Sequence, residues 1–439
     1  MSDSIFSVPR GTNDVLPSEA PLWQFVEQKA RAILASYNYK EIRTPFFEEI
    51  DLFARSMGQT SDVVQKQMLT LNSQKQNTGK DKEESVELAL RPEGTASVVR
   101  SYINNRFDKI EGLSKLFYIG PMFRGERPQK GRLRQFHQIG AEAIGPGPDE
   151  ALLPYLDAEM IALSTHILKA LGLNQFILKI NTLGSLESKA KLYEYLKGQL
   201  TAHITALCPD CQNRFHKNVF RILDCKNREC KAVTSKIGLE GRAWLDEASA
   251  AYYKKVKSLL TDMNVAFVED THLVRGLDYY MHTVFEISGA SLGSQDALGA
   301  GGRYNKLVTD LGGPQVSAIG FALGIERILL AAADTLKPEA SVLDVFVIVL
   351  DEAAFAAGFN LATQLRNHGI RADINFKIAS MKSQMRSADK SNAVYAAILG
   401  ADELKAGTIT LKNLKTGNQV SLPISDEKAI KEAILTRTD

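Results

Sequence analysis

From Gln135 to Ile144 the chain alternates with a period of two, and that alternation limits the fold more than any other stretch. Phe136, Gln138, Gly140 and Glu142 share one face of an extended strand, while His137, Ile139, Ala141 and Ala143 share the other. A second strand is entered at Leu116-Phe-Tyr-Ile119. Between the two runs a long basic loop, with Arg124, Arg127, Lys130, Arg132 and Arg134 offset mainly by Glu126. The pattern predicts an antiparallel pair with an arginine-rich connection.

At 439 residues the chain exceeds a single typical core, so two or three domains are expected. Ser18 is placed to cap a helix from about Pro21 to Tyr37, whose apolar stripe is Leu22, Phe25, Val26, Ala30, Ile33 and Leu34. Ile42-Arg-Thr-Pro45 reads as a short extended segment stopped by proline. Residues 71–85 are polar and read as a loop or an exposed hairpin tip. Residues 185–262 have a helical pattern, contain every cysteine and interrupt a strand-rich core that resumes at Ala266 and runs through Thr283–Ile287. A glycine-rich turn is expected at Gly299-Ala-Gly-Gly-Arg-Tyr304, then a helix from Leu323 to about Ala333. Thr335–Ser341 reads as a linker to a small α/β domain, which opens on the apolar strand Asp344–Leu350. Its first helix runs to His368 with Gly369 as its stop, and strands follow at about 371–375 and 393–399.

Net charge is only +2, so any nucleic-acid contact must come from locally concentrated basic groups. The stretch Met1-Ser-Asp-Ser-Ile-Phe-Ser has neither the basic nor the apolar region of a secretory leader. No apolar run is long enough to span a membrane. These features predict a cytoplasmic enzyme.

The chemistry-bearing residues fall in four separated segments: Arg91–Thr95, Phe123–His137, Leu273–Tyr280 and Gly320–Arg327. Guanidinium groups are planar forks suited to bidentate phosphate contact. Arg327 falls in the first turns of a helix, where a cation is unfavourable unless it faces an anion. Gln138 and Glu142 on one half-buried face need partners, which an ammonium and an imidazole would supply. Each segment alone has a bland reading, a solvated basic loop or a snorkelling arginine; their combination does not.

Together the segments resemble the class II aminoacyl-tRNA synthetases, and within them the histidyl-tRNA synthetase family. The Pro45 region resembles motif one, residues 116–144 motif two, and residues 316–331 motif three. Leu273–Tyr280 and Gly299–Tyr304 resemble two histidine-specific signatures. Asn305 stands where the family more often has aspartate, and Gly125 where histidine is common.

The resemblance implies an α+β fold, with a catalytic core on an antiparallel sheet flanked by helices. That core would span 1–184 and 263–334, with a helical insertion domain at 185–262 and an α/β anticodon-binding domain at 340–439. It implies ATP-dependent attachment of L-histidine to its tRNA through a histidyl-adenylate, with Mg2+ accompanying ATP, in a homodimer built on motif one. By matching position, Arg124 and Arg327 would hold the α- and γ-phosphates and Glu126 the adenine. Glu93, Thr95 and Gln138 would bind the histidine ammonium; Glu142, Tyr280 and Tyr304 would read the imidazole. Arg275 would sit at the α-phosphate, where related synthetases place a divalent ion. Gln129 and Arg132 would meet the tRNA acceptor end. Two rivals are a non-catalytic relative, such as the regulatory subunit of ATP phosphoribosyltransferase, and a synthetase for threonine, proline or glycine. The first is expected to lose the active-site groups and tail domain retained here; Arg275–Tyr280 argues against the second.

Cys208-Pro-Asp-Cys211 and Cys225-Lys-Asn-Arg-Glu-Cys230 have the spacing of a zinc ribbon, in which case the metal is structural. The same residues also read as four small buried side chains without metal. Lys382, Arg386 and Lys390 recur every four residues on one helix face, either a solvated face or, following the resemblance, a surface near anticodon bases.

Overall fold

The alternating segments form a sheet whose two faces bury different partners. The structure is a computed structural model that describes all residues except 1–5, 59, 60, 62, 72–86, 111, 146–149, 276, 290–296, 337–341 and 437–439. It divides into two compact units, Met1–Pro338 and Glu339–Asp439. The polar segment 72–86, which covers nearly all of the expected loop at 71–85, lies outside the described residues, as does most of the expected linker.

The strands of the first unit are β1 (Lys40–Glu41), β2 (Phe47–Glu49), β3 (Thr70–Leu71), β4 (Leu88–Leu90), β5 (Ser114–Phe123), β6 (Gln135–Gly145), β7 (Phe176–Thr182), β8 (Val268–Glu269), β9 (Met281–Gly289), β10 (Ala297–Arg303) and β11 (Ser317–Gly324). Eight of them form one sheet in the order β1-β5-β6-β11-β10-β9-β7-β8, and β2-β4-β3 form a small second sheet. The pairs β1–β5 and β7–β8 are parallel; the central pairings are antiparallel. The expected β5–β6 pair is present, in register from Ser114–Ile144 to Phe123–Gln135.

One face of the large sheet carries Ile139, Ala141 and Ala143 into an apolar layer with the helices Ala20–Ser36, Leu153–Ala170 and Glu247–Asp262. The opposite face carries Tyr118, Gln138 and Glu142, and there the residues singled out above gather. The cysteine-bearing helices pack in a cluster with Tyr118, Leu273, Val274, Tyr279 and Tyr280.

Three local expectations need correction. The first helix begins at Ala20, and its cap position is Glu19, not Ser18. A turn in which Glu19 and Ala20 donate to the Leu16 carbonyl leads straight into the helix, so no side-chain cap is used. The glycine run 299–304 is not a turn: Gly299–Arg303 lie in β10, between β9 and β11. Glycine is needed there for close packing, since a Cβ at Gly301 would collide with the Gly320 carbonyl and the Phe285 ring. The helix expected from Leu323 starts at Ile325, because β11 continues through Gly324.

In the second unit β12 (Leu343–Val349), β13 (Ala372–Ile374), β14 (Ala393–Leu399), β15 (Thr408–Asn413) and β16 (Gln419–Pro423) form a sheet in the order β13-β12-β14-β15-β16. The pairs β12–β13 and β12–β14 are parallel, and the helix Phe355–Asn367 lies between β12 and β13 in the chain. Lys382, Arg386 and Lys390 are exposed on the helix Met381–Lys390, whose opposite face buries Gln384 and Ala388.

Candidate active site

A cleft on the second face of the large sheet is lined by Glu93, Thr95, Arg124, Glu126, Arg132, Gln138, Arg275, Tyr280, Tyr304 and Arg327. These residues come from five separated stretches of chain, 93–95, 124–138, 275–280, 304 and 327, which gather over the antiparallel strands β5-β6-β11-β10.

Glu93 is buried at the start of the helix Thr95–Asn104. Its Oε2 accepts from the Thr95 amide at 2.8 Å and its Oε1 from the Ala96 amide at 2.9 Å. A carboxylate here caps the helix and meets its positive end. Burial pushes the Glu93 carboxyl above its ordinary value, against which these bonds and Arg124 act.

Glu142 lies behind it on β6. Thr95 Oγ1 donates to its Oε1 at 2.7 Å, and the Tyr304 hydroxyl donates to its Oε2 at 2.5 Å. Burial raises this carboxyl to about 8, since two neutral donors compensate only part of the lost hydration. Room for the group exists because residue 320 on β11 is glycine; a Cβ there would strike the Glu142 carboxylate. Gln138, two residues earlier on the same face, has its Oε1 buried without a hydrogen-bond partner.

The arginines surround these acids. Arg124 Nε donates to the Pro92 carbonyl at 2.9 Å, its guanidinium lies over the Phe136 ring at 5.2 Å, and it faces both Glu93 and Glu126. Arg327 Nε donates to the Gly131 carbonyl at 3.1 Å and its Nη1 to the Ala297 carbonyl at 2.5 Å. Burial lowers the pKa of both, first by desolvation, so the cleft holds cations that an anion would stabilise. Arg132 pairs with Glu126. Arg275 Nη1 pairs with Glu286 Oε2 at 2.5 Å.

Not every residue read from the sequence lines this cleft. Gln129 is exposed and lines a neighbouring cavity with Lys130, His137 and Glu326. Arg91 serves the frame: Nε donates to the Pro121 carbonyl at 2.9 Å and Nη1 to Thr44 at 3.0 Å, tying β5 to the chain before β2. The cysteines gather elsewhere, with all four Sγ atoms within 4.8 Å of one another.

Tyr118 and Glu286 are not singled out by the sequence, and Tyr279 only as part of the segment Leu273–Tyr280. Tyr118 could have been, since the β5–β6 register sets it opposite Gly140, whose missing Cβ leaves space for the ring. Glu286 carries no local signal; it is identified by its pairing with Arg275. The departure at Asn305 is accommodated: its Oδ1 accepts from Arg303 Nη1 at 3.0 Å and from the Ala318 amide at 2.9 Å, an acceptor role an amide fills as well as a carboxylate. Gly125, the other departure, donates its amide to the Gln67 carbonyl at 2.6 Å.

A family model described as histidyl-tRNA synthetase matches residues 11–328, and one described as anticodon binding domain matches residues 344–432. A histidine–tRNA ligase of Halothermothrix orenii is 44% identical over 420 residues, covering 95% of this chain and 97% of that protein. The histidine–tRNA ligase of Bacillus subtilis is 43% identical over 428 residues, covering 96% and 97%. The crystal structure of apo S. aureus histidyl-tRNA synthetase has a TM-score of 0.76 at 36% identity, covering 98% of this chain and 99% of that one. On the extent of these matches, the chain belongs to the histidyl-tRNA synthetase family, class II aminoacyl-tRNA synthetases that join histidine to its tRNA.

Proposed function

We propose that the cleft activates L-histidine with ATP and passes it to the tRNA, with the residues assigned as follows. The observation that carries the assignment is one cleft combining the buried acids Glu93 and Glu142 with Arg124, Arg275 and Arg327. Glu93, Thr95 and the unpaired amide oxygen of Gln138 receive the histidine ammonium. Glu93 retains acceptor capacity beyond its two backbone bonds, because an ionised carboxylate has about four acceptor sites. Glu142, Tyr280 and Tyr304 read the imidazole.

ATP enters as its Mg2+ complex. Glu126 contacts the adenine, Arg124 the α-phosphate and Arg327 the γ-phosphate, exchanging backbone carbonyl partners for phosphate oxygens. The histidine carboxylate attacks the α-phosphorus in line, and pyrophosphate leaves. It is already a nucleophile, so no protein base is needed. Arg275, freed from Glu286, neutralises charge that develops on the α-phosphate. The ribose hydroxyl of the terminal adenosine of the tRNA then attacks the acyl carbon, and AMP leaves. Gln129 and Arg132 on the basic loop meet that acceptor end. Rate enhancement comes from positioning and charge neutralisation.

The division of labour within the chain belongs to the same proposal. Residues 1–184 and 263–334 form the catalytic core, 185–262 an insertion domain, and 340–439 a domain that binds the anticodon of the tRNA, with Lys382, Arg386 and Lys390 towards it. Supporting a homodimer, Phe46 and Phe47 beside Pro45 are 52% and 49% exposed, an apolar surface that a second copy would cover. A cytoplasmic location accords with there being no described helix long and apolar enough to cross a membrane. The cysteine cluster takes no part in catalysis: a metal held by four thiolates would have no coordination position open.

The test is ATP–pyrophosphate exchange measured with each amino acid in turn. Histidine alone should support it; comparable exchange with threonine, proline or glycine would defeat the assignment.

A further inference from the structure

We propose that Cys208, Cys211, Cys225 and Cys230 bind one zinc ion, and that this ion braces His272, Asp278 and Tyr280 at the histidine end of the cleft. The second part rests on the reading of Tyr280 as a histidine contact. The sulfur atoms have the right spacing: Cys208 Sγ and Cys225 Sγ are 3.9 Å apart. Tetrahedral coordination with Zn–S bonds of about 2.3 Å sets the sulfurs roughly 3.8 Å apart. None of the four is in a disulfide, and Cys211, Cys225 and Cys230 are buried.

Donors are aimed at two of the sulfurs. The Cys208 amide donates to Cys230 Sγ at 3.2 Å, and Arg214 Nη1 lies 3.9 Å from Cys211 Sγ. One backbone amide and one guanidinium thus point at the sulfurs, as the groups that orient metal ligands do. The cysteines belong to the short helices Pro209–Lys217, Phe220–Leu223 and Arg228–Thr234 and their junctions. Helices of this length are marginal in isolation, so a crosslink among them sets their arrangement.

That arrangement reaches the cleft through hydrogen bonds. Asn218, just after the first of these helices, donates Nδ2 to Asp278 Oδ1 at 2.5 Å. The Thr234 carbonyl, in the last of them, lies 3.1 Å from His272 Nε2. His272 and Asp278 are therefore both held by the cysteine-bearing helices. The neighbouring helix Leu186–Thr201 adds Lys189, whose Nζ donates to the Asp278 and Tyr280 carbonyls at 2.8 and 2.7 Å. Asn218 and Lys189 are positioning residues: through Asp278 and the Tyr280 carbonyl they set where Tyr280 stands.

The experiment begins with the full chain purified without added zinc, its metal content read by atomic emission. One zinc per chain is expected, lost in the Cys211→Ser/Cys230→Ser variant, and cobalt(II) added to metal-free protein should give thiolate charge-transfer absorption. Metal-free protein should show a KM for histidine in pyrophosphate exchange raised about tenfold, with the ATP KM within about twofold and zinc restoring both. Because metal removal can unfold the short helices, Asn218→Ala supplies a second measurement. It should keep its zinc and still raise the histidine KM severalfold. Absence of both zinc and the cobalt absorption overturns the metal site. Zinc present with an unchanged histidine KM in Asn218→Ala overturns the bracing role. A rise confined to the ATP KM also overturns it, and locates the error in the reading of Tyr280, not in the metal.

Discussion

The Tyr304 hydroxyl donates to Glu142 Oε2 at 2.5 Å, and this bond joins the end of β10 to the middle of β6. It fixes one oxygen of the carboxylate assigned to the imidazole, while Thr95 fixes the other. Tyr304→Phe should raise the histidine KM about tenfold, roughly the value of one buried hydrogen bond, and leave the ATP KM near its original value. Exchange kinetics at varied histidine measure this. An unchanged histidine KM would remove Tyr304 from the binding site.

The raised pKa of Glu142 links stability to pH. The folded, unliganded protein keeps this carboxyl protonated up to about 8, whereas the unfolded chain releases the proton near the ordinary value of 4.5. Between these values the native state binds more protons, so the contribution of Glu142 to stability falls as pH rises through that window. Glu142→Gln should flatten the decline in unfolding free energy between pH 5 and pH 8 by a few kcal/mol, roughly, relative to the parent. Parallel denaturation curves at several pH values compare the two. Equal slopes would show that Glu142 titrates normally.

Arg275 pairs with Glu286, so its removal leaves that carboxylate without its partner beside the proposed phosphate position. Arg275→Ala should keep fold and oligomeric state while slowing adenylate formation by about two to three orders of magnitude, the usual loss for a charge-stabilising group. Near-normal pyrophosphate exchange in this variant would sink the assignment.

Asp157 and Arg303 are both fully buried, with Arg303 Nε and Nη2 on Asp157 Oδ1 at 2.9 and 2.5 Å. Thr283 and Tyr252 donate to the other oxygen at 2.5 and 2.8 Å. Asp157→Ala strands the guanidinium without its partner and should cost about 3–5 kcal/mol. Urea unfolding gives the value; a loss below about 1 kcal/mol would mean that water or another group compensates.

The unit Glu339–Asp439 has its own apolar core around Val345, Val347, Leu361, Ile409 and Ile430. Deleting residues 338–439 should therefore weaken tRNA charging much more than adenylate formation, which the two assays read separately. Equal losses would argue against an anticodon role for this unit.

Much of the site was legible because a strand imposes a simple rule. Once Gln135–Ile144 is extended, Gln138 and Glu142 must share a face, and the β5–β6 pair needs only that rule and a loop. The same logic failed at Gly299–Arg303, because glycine signals a turn from composition alone. Only neighbouring strands on both sides reveal that these glycines make room for the Gly320 carbonyl and the Leu323 side chain. At Ser18 local chemistry favoured a cap, but the turn from Leu16 supplied the helix start instead.

The sequence by itself determined which residue types were available, the faces on which β6 displays them, and the α/β pattern of the second unit. Periodicity and motif spacing are local properties, so they survive without coordinates. Only the tertiary structure decided the partners. Glu142 meets Thr95 and Tyr304, respectively 47 and 162 positions away, and Arg303 meets Asp157 from 146 away. It also closed the four cysteines into one cluster. Such pairings follow from strand order and sheet register, which bring distant segments into contact and then bury them where an unpaired charge is costly.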